Sequence, residues 1–390
     1  MAPQRPELQP AVIEPKAGSG GGLQSVPFVD LVRMHGPLRR EFNDAFERVL
    51  ASGRYHLGPE TSAFESEFAA HEGSEHGVAC GSGSDALYLA LRTLDIGEGH
   101  AVVTVANSFL ATAESIARTG ASVVFAEPDP ATRCLDPADL ARVLDEPGAE
   151  RVRAVIPVHL YGRPADVAGI RAVLADAGRD DVFVIGDAAQ AHGAAGIGGL
   201  TDITCYSFYP AKNLGALGDG GMVLCGSQAR EDKLRSLRNH GRGSKHDSVD
   251  VGVNSRFDEI QAAVLRIKLT RLRDWNAQRR EIAARYRSML SSIPGLVLPG
   301  DHPDHVHHLF VVELPADRDR DACAAELKQA GIGVGMHYPV PVHHMKPYPS
   351  ARPLPITELL CATSLSLPIF PGMRSDEVDT VCQVVHQVLT

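Results

Sequence analysis

The sequence lacks any apolar run that approaches the roughly 18–20 residues of a bilayer-spanning helix, so we expect no transmembrane segment. It also lacks a block of basic residues: 38 Lys and Arg stand against 48 Asp and Glu, and the formal net charge is −10. Binding nucleic acid through its phosphates requires a basic stripe. The composition therefore excludes membrane-spanning and nucleic-acid-binding proteins.

Cysteine is sparse, odd in number and free of any CxxC pair. The seven cysteines are Cys80, Cys134, Cys205, Cys225, Cys323, Cys361 and Cys382. This pattern is typical of reduced thiols in a cytoplasmic protein and not of a disulfide framework or a zinc site. The N-terminus also lacks the apolar stretch of a secretory signal, so we interpret residues 1–25 as a flexible leader.

The rest of the chain has a globular composition, with 44% hydrophobic and 22% charged residues among 390. Short apolar runs alternate with helical patterns, at 101–106, 122–125, 153–158, 182–186, 203–208 and 221–225. This alternation predicts a large α/β domain over residues 26–255, built on a mostly parallel sheet that is covered on both faces. We expect one long connecting helix over residues 256–294 and a smaller α+β domain over residues 295–390.

The segment SFYPAKNLGALGDGG, Ser207 to Gly221, places Lys212 just after an apolar strand. Four glycines within positions 215–221 let the backbone turn sharply and let a flat ligand approach closely. Burial removes hydration from an ammonium group, which lowers its pKa and prepares a nucleophilic amine. The segment therefore indicates a lysine that forms a Schiff base, although a surface lysine on a glycine-rich turn would fit it as well.

A second apolar strand, in VFVIGDAAQAHGA, ends at Asp187 on the sheet edge where open α/β folds bind ligands. Pyridoxal phosphate needs a carboxylate that keeps its ring nitrogen protonated as an electron sink. Ala188 and Ala189 leave room for a flat ring, and Gln190 can bond the ring hydroxyl. An aspartate that only caps the next turn is the alternative.

A third stretch, VACGSGSDALYLAL, places the small residues 81–84 before a helical pattern. Such a loop offers free backbone N–H groups and the positive end of a helix dipole, both of which suit a phosphate, although an ordinary helix cap has the same pattern. The chain contains neither a Walker signature nor GxGxxG, which disfavours a nucleoside triphosphatase or a dinucleotide enzyme. The order of phosphate loop, aspartate and lysine favours one shared cofactor site.

These segments resemble the DegT/DnrJ/EryC1/StrS family of sugar aminotransferases, from about Val26 to the C-terminus. The other matching segments are SGRYHLGPETSAFESEFA, PVHLYGRPAD, GVNSRFDEIQAAVLRIKLTRL and HYPVPVH. NSRFDEIQAAVLRIKL and VHLYG are most similar to the nucleotide-sugar 3-aminotransferases. The resemblance implies the α/β architecture of fold-type I, aspartate-aminotransferase-like enzymes, with a large domain and a smaller C-terminal one.

The resemblance also assigns the cofactor residues. It implies that Lys212 forms the Schiff base and then relays protons, that Asp187 holds the pyridinium nitrogen and that Gln190 holds the ring oxygen. It further implies that Phe109 stacks on the ring, for which a core position is the alternative. It implies that the phosphate contacts Gly83, Ser84 and Ser207 of the same chain, together with Asn254 of the partner subunit. Gly186 departs from the family, where many relatives carry an acid before the aspartate, and this puts one supporting contact in doubt.

Substrate contacts are expected from three of the matching segments, although a structural role fits each of these side chains equally. The candidates are Tyr55, His159, Tyr161, His337, Tyr338 and His343. Two further groups of histidines lie close together in the sequence, His302, His305, His307 and His308 in one and His343 and His344 in the other. Because no carboxylate stands at helical spacing from them, we predict no metal site.

The resemblance implies a pyridoxal-phosphate-dependent aminotransferase that uses L-glutamate and releases 2-oxoglutarate. Its expected acceptor is a nucleotide-linked keto-deoxysugar, with a dTDP-3-keto-6-deoxyhexose as the expected case, and its expected form is a homodimer with shared active sites. The product would be an aminosugar for natural products or cell-surface glycans. Lys212 disfavours the deoxygenating dehydratases, the family members that have histidine at this position. An aminotransferase for a cyclitol ketone and a non-catalytic cofactor-binding regulator are the alternatives.

Overall fold

The computed structural model describes residues 25–197, 200–244 and 246–390, and the predicted leader falls outside this part except for Ser25. Seven strands form one sheet in the order β1-β7-β6-β5-β4-β2-β3. Their bounds are β1 His76–Cys80, β2 Ala101–Val105, β3 Ser122–Ala126, β4 Val152–Val155, β5 Phe183–Asp187, β6 Ile203–Ser207 and β7 Gly221–Cys225. β7 runs antiparallel to both of its neighbours, β1 and β6, and all other strand pairs in this sheet are parallel. The mostly parallel sheet agrees with the sequence prediction.

Helices cover both faces of the sheet because successive strand residues point to opposite sides. In β6, Cys205 packs with α4 and α5 on one face while Tyr206 packs with α3 on the other. The first helices are α1 Leu31–His35, α2 Arg39–Ser52, α3 Pro59–His71, α4 Gly83–Thr93, α5 Ala111–Arg118, α6 Pro137–Leu144, α7 Val167–Asp176 and α8 Gln228–Leu237. A small hairpin joins β8 Arg242–Ser244 to β9 Asp247–Ser248.

The remaining elements form the C-terminal unit and its connection to the sheet. They are α9 Glu259–Leu269, α10 Leu272–Leu290, β10 Phe310–Glu313, α11 Arg320–Gln329, α12 Pro355–Thr363, β11 Ser364–Leu367 and α13 Ser375–Leu389. β10 and β11 pair antiparallel, and α11 and α13 pack against them with the second half of α10. Across the described residues, none of the helices is both long and apolar enough to cross a bilayer.

The single helix predicted over residues 256–294 is wrong, because the structure contains α9 and α10 with a break at Thr270 and Arg271. The Thr270 hydroxyl donates to the Ile267 carbonyl, and the Arg271 N–H bonds the Lys268 carbonyl as in a turn. Threonine side chains compete in this way with the helical hydrogen-bond ladder. The apolar periodicity continues through the break, so the pattern does not reveal it.

The N-terminal boundary of the large domain also differs from the prediction, which begins this domain at residue 26. Val26 and Met34 are buried in the core of the C-terminal unit. The Val26 N–H donates to the Gly331 carbonyl, and Arg33 forms a salt bridge with Glu377. Val26 and Met34 therefore pack with the C-terminal unit and not with the large domain.

Strand β1 is the one strand of the large sheet that the sequence does not predict. Its sequence, HGVAC, contains a single β-branched residue and no alternation of apolar and polar residues. β1 is stabilised by its partner strand, since it pairs with β7 along its whole length. Tertiary pairing therefore defines this strand more than local propensity does.

Candidate active site

A cavity of about 570 Å³ opens at the carboxyl edge of the parallel strands. Strand ends, helix N-termini and residues of the C-terminal unit all contribute to its wall, as expected where ligands bind in open α/β sheets. Nine of the residues predicted from the sequence lie in this wall: Gly83, Ser84, Phe109, Asp187, Gln190, Ser207, Lys212, His337 and Tyr338. The fold thus brings the three predicted cofactor segments together.

Lys212 projects from the loop after β6 into the cavity. Burial lowers the pKa of its amine from 10.5 to about 8, and the nearby Asp187 carboxylate opposes that shift. Within the described residues, Lys212 Nζ makes no hydrogen bond or salt bridge. At this pKa roughly a tenth of the amine is neutral at pH 7, far more than for an ordinary lysine, and that fraction is free to react.

Asp187 ends β5 and is only 5% exposed. Its Oδ2 accepts a 2.7 Å hydrogen bond from the Thr112 hydroxyl, and its Oδ1 accepts from the Ala189 N–H at 3.2 Å. Burial raises the pKa of this carboxyl group, while the Thr112 bond and the Lys212 charge favour the ionised form. The carboxylate is therefore held in one orientation at the cavity wall.

The first turn of α4 fits an anion. Ser82 caps this helix by accepting from the Asp85 N–H, which leaves the N–H groups of Gly83 and Ser84 without intrahelical partners. A Cβ at Gly83 would lie 2.5 Å from the Ser207 Cβ, so the helix start and the end of β6 are in close contact. Only glycine permits this approach, which places backbone donors beside the Ser207 hydroxyl.

Gln190 belongs to a hydrogen-bond network that links the sheet edge to the C-terminal unit. Its Oε1 accepts from the Tyr161 N–H at 2.6 Å, and its Nε2 donates to the Tyr338 hydroxyl at 2.8 Å. The Tyr161 hydroxyl in turn donates to the His337 carbonyl. Gln190 thus has a positioning role that the sequence does not predict, and its second Nε2 hydrogen remains available for a ligand.

Phe109 lies in the cavity wall and is 52% exposed, which contradicts the alternative of a core phenylalanine. Its ring centre lies 5.9 Å from that of Tyr338, and the two planes are tilted by 42°. His337 is fixed by a 2.8 Å contact between its Nδ1 and the Ser366 hydroxyl. The cavity therefore presents an aromatic side that suits a flat ring or a sugar.

Five predicted site residues do not line the cavity: Tyr55, His159, Tyr161, His343 and Asn254. Tyr55 and Asn254 are exposed, and they lie on neighbouring segments because the Glu259 N–H donates to the Tyr55 carbonyl. Tyr161 is buried behind the wall and acts through Gln190. Their predicted contacts remain predictions.

His159 lies fully buried behind Asp187 and not in the cavity. Its Nδ1 accepts from the Ala165 N–H at 3.0 Å, and its Nε2 has no partner in the described structure. A Cβ at Gly186 would lie 3.1 Å from this Nε2. The glycine at which the sequence departs from the family pattern therefore stands directly beside the unpaired nitrogen of His159.

Three further wall residues, Thr112, Arg279 and His308, are absent from the sequence prediction. Arg279 on α10 is 2% exposed and donates from Nη1 to the Ile369 carbonyl at 2.8 Å. Burial lowers the pKa of this guanidinium to about 9. Thr112 lies in the first turn of α5 and Phe109 precedes that helix, so no spacing in the sequence identifies any of the three.

Comparisons with known proteins agree with this geometry. Residues 37–386 match the DegT/DnrJ/EryC1/StrS aminotransferase family. The chain is 43% identical over 372 residues to dTDP-3-amino-3,4,6-trideoxy-alpha-D-glucose transaminase of Streptomyces venezuelae, which covers 93% of this chain and 96% of that protein. It is 40% identical over 375 residues to UDP-N-acetyl-3-dehydro-alpha-D-glucosamine 3-aminotransferase of Acidithiobacillus ferrooxidans, with coverages of 94% and 98%.

The crystal structure of NtdA from Bacillus subtilis with bound cofactor PMP has a TM-score of 0.88 to this chain, at 28% identity, and covers 94% of this chain and 85% of that one. The fold and the cavity with its lysine and aspartate thus define a pyridoxal-phosphate-dependent aminotransferase of fold type I. The chain belongs to the DegT/DnrJ/EryC1/StrS aminotransferase family. The predicted family, fold class, cofactor and enzyme class are confirmed.

Proposed function

We propose that this enzyme transfers an amino group from L-glutamate to the ketone of a nucleotide-linked deoxysugar, with a dTDP-3-keto-6-deoxyhexose as its preferred acceptor. The observation that carries the proposal is the cavity in which the unbonded Lys212 amine and the Asp187 carboxylate stand together. The two relatives named above act, by their names, on a dTDP-sugar and a UDP-sugar. They support a nucleotide sugar as the acceptor class.

Four parts of the cavity fit pyridoxal phosphate. Its phosphate suits the first turn of α4 with Ser207, its ring nitrogen suits Asp187, and its ring oxygen suits the free hydrogen of Gln190. Lys212 is the amine that attaches to its aldehyde carbon. When bound, the cofactor supplies an electron sink and a carbon that carries the amino group between the two substrates.

Lys212 performs two tasks in this proposal. Its neutral amine would hold the cofactor, and once displaced the same nitrogen would take the proton from the donor Cα and deliver it to the cofactor carbon that carries the amino group. A pKa of about 8 suits both tasks, because the group can hold or release a proton near neutral pH. Asp187 would hold the protonated ring nitrogen of the cofactor.

The charge of the cavity differs from that of the whole chain. The chain has a net charge of −10, which disfavours an anionic nucleotide sugar at long range. The cavity wall contains Lys212 and Arg279 together with Asp187 and Asp219, so its formal charges cancel. The cavity therefore does not share the negative sign of the whole chain, and the N-terminus of α4 adds a positive dipole end where anions must bind.

We further propose a homodimer in which Asn254 of the partner subunit completes each phosphate site. Asn254 and Tyr55 are exposed on adjoining segments and lie outside the cavity of their own chain. Their exposure supports a role on a second chain. Sedimentation that finds a fully active monomer would contradict this part.

The test of the function uses the purified holoenzyme in two steps. L-glutamate is expected to bleach the yellow cofactor, and nucleotide-linked 3-keto sugar added afterwards is expected to restore the colour and yield an aminosugar by mass spectrometry. The comparison acceptors are a 4-keto nucleotide sugar and a cyclitol ketone. Faster turnover of the cyclitol ketone would overturn the substrate, and absence of bleaching by any amino donor would indicate the non-catalytic regulator.

A further inference from the structure

Two neighbouring histidines and a glutamate meet at the surface, outside the cavity wall. His343 and His344 belong to the short 3-10 helix Val342–His344, and Glu358 lies in the first turn of α12. One atom from each side chain, an imidazole nitrogen or a carboxylate oxygen, lies within 4.8 Å of the other two. The sequence shows the two neighbouring histidines but not their proximity to Glu358, which comes from a different helix, and for this reason no metal site is predicted there from the sequence.

Two of the three separations in the cluster match those around a tetrahedral zinc ion. Glu358 Oε1 lies 3.3 Å from His343 Nε2 and 3.4 Å from His344 Nε2. Ligand atoms bound tetrahedrally at about 2.0–2.1 Å stand about 3.3–3.4 Å apart. The side chain of His344 is 51% exposed, so its ring has space to adjust the third separation.

The two segments that carry these side chains are each fixed to the large domain. The Val342 N–H donates to the Ala106 carbonyl at 2.9 Å, which holds the 3-10 helix. Glu127 accepts from the backbone N–H groups of Ile356 at 2.7 Å and Thr357 at 2.9 Å, which holds the start of α12. The positions of the candidate ligands therefore do not depend on a bound ion, and such a preformed site binds metal at low cost in entropy.

We propose that His343, His344 and Glu358 bind one Zn²⁺, with water as the fourth ligand. Two imidazole nitrogens and one carboxylate oxygen form a ligand set that zinc commonly takes. The ion ties the 3-10 helix to α12. It thereby restrains the segment that begins at His337 and Tyr338 in the cavity wall.

The test is calorimetric titration of the dialysed holoenzyme with ZnCl₂, together with metal analysis of the dialysed complex. We expect one ion per chain at micromolar Zn²⁺, and affinity reduced roughly 10- to 100-fold or more in H344Q and in E358Q. Both side chains are about half exposed, so the variants should remain folded, which circular dichroism checks. H76Q is the matched control, because His76 Nδ1 stands 2.8 Å from Glu231 in a contact with a single imidazole.

The proposal is overturned if the wild type binds no stoichiometric zinc. It is equally overturned if H344Q and E358Q bind zinc as tightly as wild type and H76Q, since the ion would then lie elsewhere. Crystals soaked in ZnCl₂ and measured at the zinc edge give an independent answer. Anomalous density between the three side chains is expected, and its absence at full occupancy of other sites would reduce the cluster to a histidine–carboxylate contact.

Discussion

Lys212 and Lys268 both have a lowered pKa, but they lie in different regions of the molecule. Burial lowers the pKa of Lys212 to about 8 and that of Lys268 to about 7, from 10.5 in each case. Lys268, on α9, has the larger shift and is 1% exposed, yet it lies outside the cavity wall. A lowered pKa alone therefore does not identify the lysine that performs chemistry.

The contacts of the two amines separate their roles. Lys268 Nζ donates to the Gly215 carbonyl and lies 2.8 Å from His35 Nε2, so its hydrogen-bonding capacity is used inside the fold. Lys212 Nζ bonds no other described residue and faces open space next to Asp187. A desolvated amine without protein partners indicates function, whereas a desolvated amine with partners indicates structure.

The largest effect is expected from Lys212→Ala. Turnover should fall by roughly 10³-fold or more, because both attachment of the cofactor and proton transfer are lost. Borohydride reduction of the wild type should fix the cofactor on the peptide that contains Lys212, and reduction of the variant should fix none. Lys268→Met is the matched control and should keep the label; a label on Lys268 would reverse the assignment of the two lysines.

Mixing Lys212→Ala with Asn254→Ala tests whether each active site combines Lys212 of one subunit with Asn254 of the other. Random subunit exchange makes half of the dimers hybrid, so about a quarter of all sites regain both residues if Asn254 acts across the interface. A return of about that fraction of wild-type activity is the expected result. No return above the two separate variants would place Asn254 in the site of its own chain.

The sequence predicts the cofactor half of the cavity well because its chemistry is local. Asp187 is the last residue of β5 and Lys212 lies in the loop that follows β6, and parallel strand ends meet at one edge of a sheet. Gly83 opens a helix, and the small residues around it indicate the anion site directly. For these residues, the end of a predicted strand or the start of a predicted helix is enough to place the side chain at the cavity edge of the sheet.

The remaining residues depend on contacts between distant segments. Arg279 and His308 enter the cavity from parts of the chain whose relation to β5 and β6 no periodicity describes. Glu358 meets His343 only because α12 is held by Glu127. Tertiary packing positions such residues, so a single sequence provides no spacing from which to predict them.

An intermediate effect on turnover is expected from Thr112→Val, which changes the surroundings of Lys212 and Asp187 but not those of Lys268. The substitution removes the 2.7 Å hydrogen bond to Asp187 Oδ2, and loss of a bond to the charged form raises the pKa of Asp187 further. Turnover should fall roughly tenfold, and the acidic limb of the kcat profile should move to higher pH. Thr112→Ser should restore both. A lower melting temperature with an unchanged pH profile would show that Thr112 contributes only to packing and does not position Asp187.

The smallest effect is expected from Lys268→Met and concerns stability. The unfolded chain keeps the Lys268 proton up to about pH 10.5, whereas the folded chain releases it above about pH 7. Between these values the unfolded state binds more protons, so the wild type gains stability as pH rises, and below pH 7 the contribution is constant. The free energy of unfolding of wild type relative to the variant should therefore increase by about 2 kcal/mol from pH 7 to pH 9.

Urea unfolding of both holoproteins at each pH measures this difference, and the titration of Lys212 cancels because both proteins contain it. His35 faces the Lys268 amine, and its pKa is lowered to about 4 by burial and by the Lys268 charge, so it stays neutral over this range. Lys233→Met is the control, since its exposed pair with Asp95 should change stability by less than about 1 kcal/mol at either pH. Parallel stability curves for wild type and Lys268→Met would mean that Lys268 keeps its ordinary pKa, and then the unbonded Lys212 amine would be the only desolvated member of the pair.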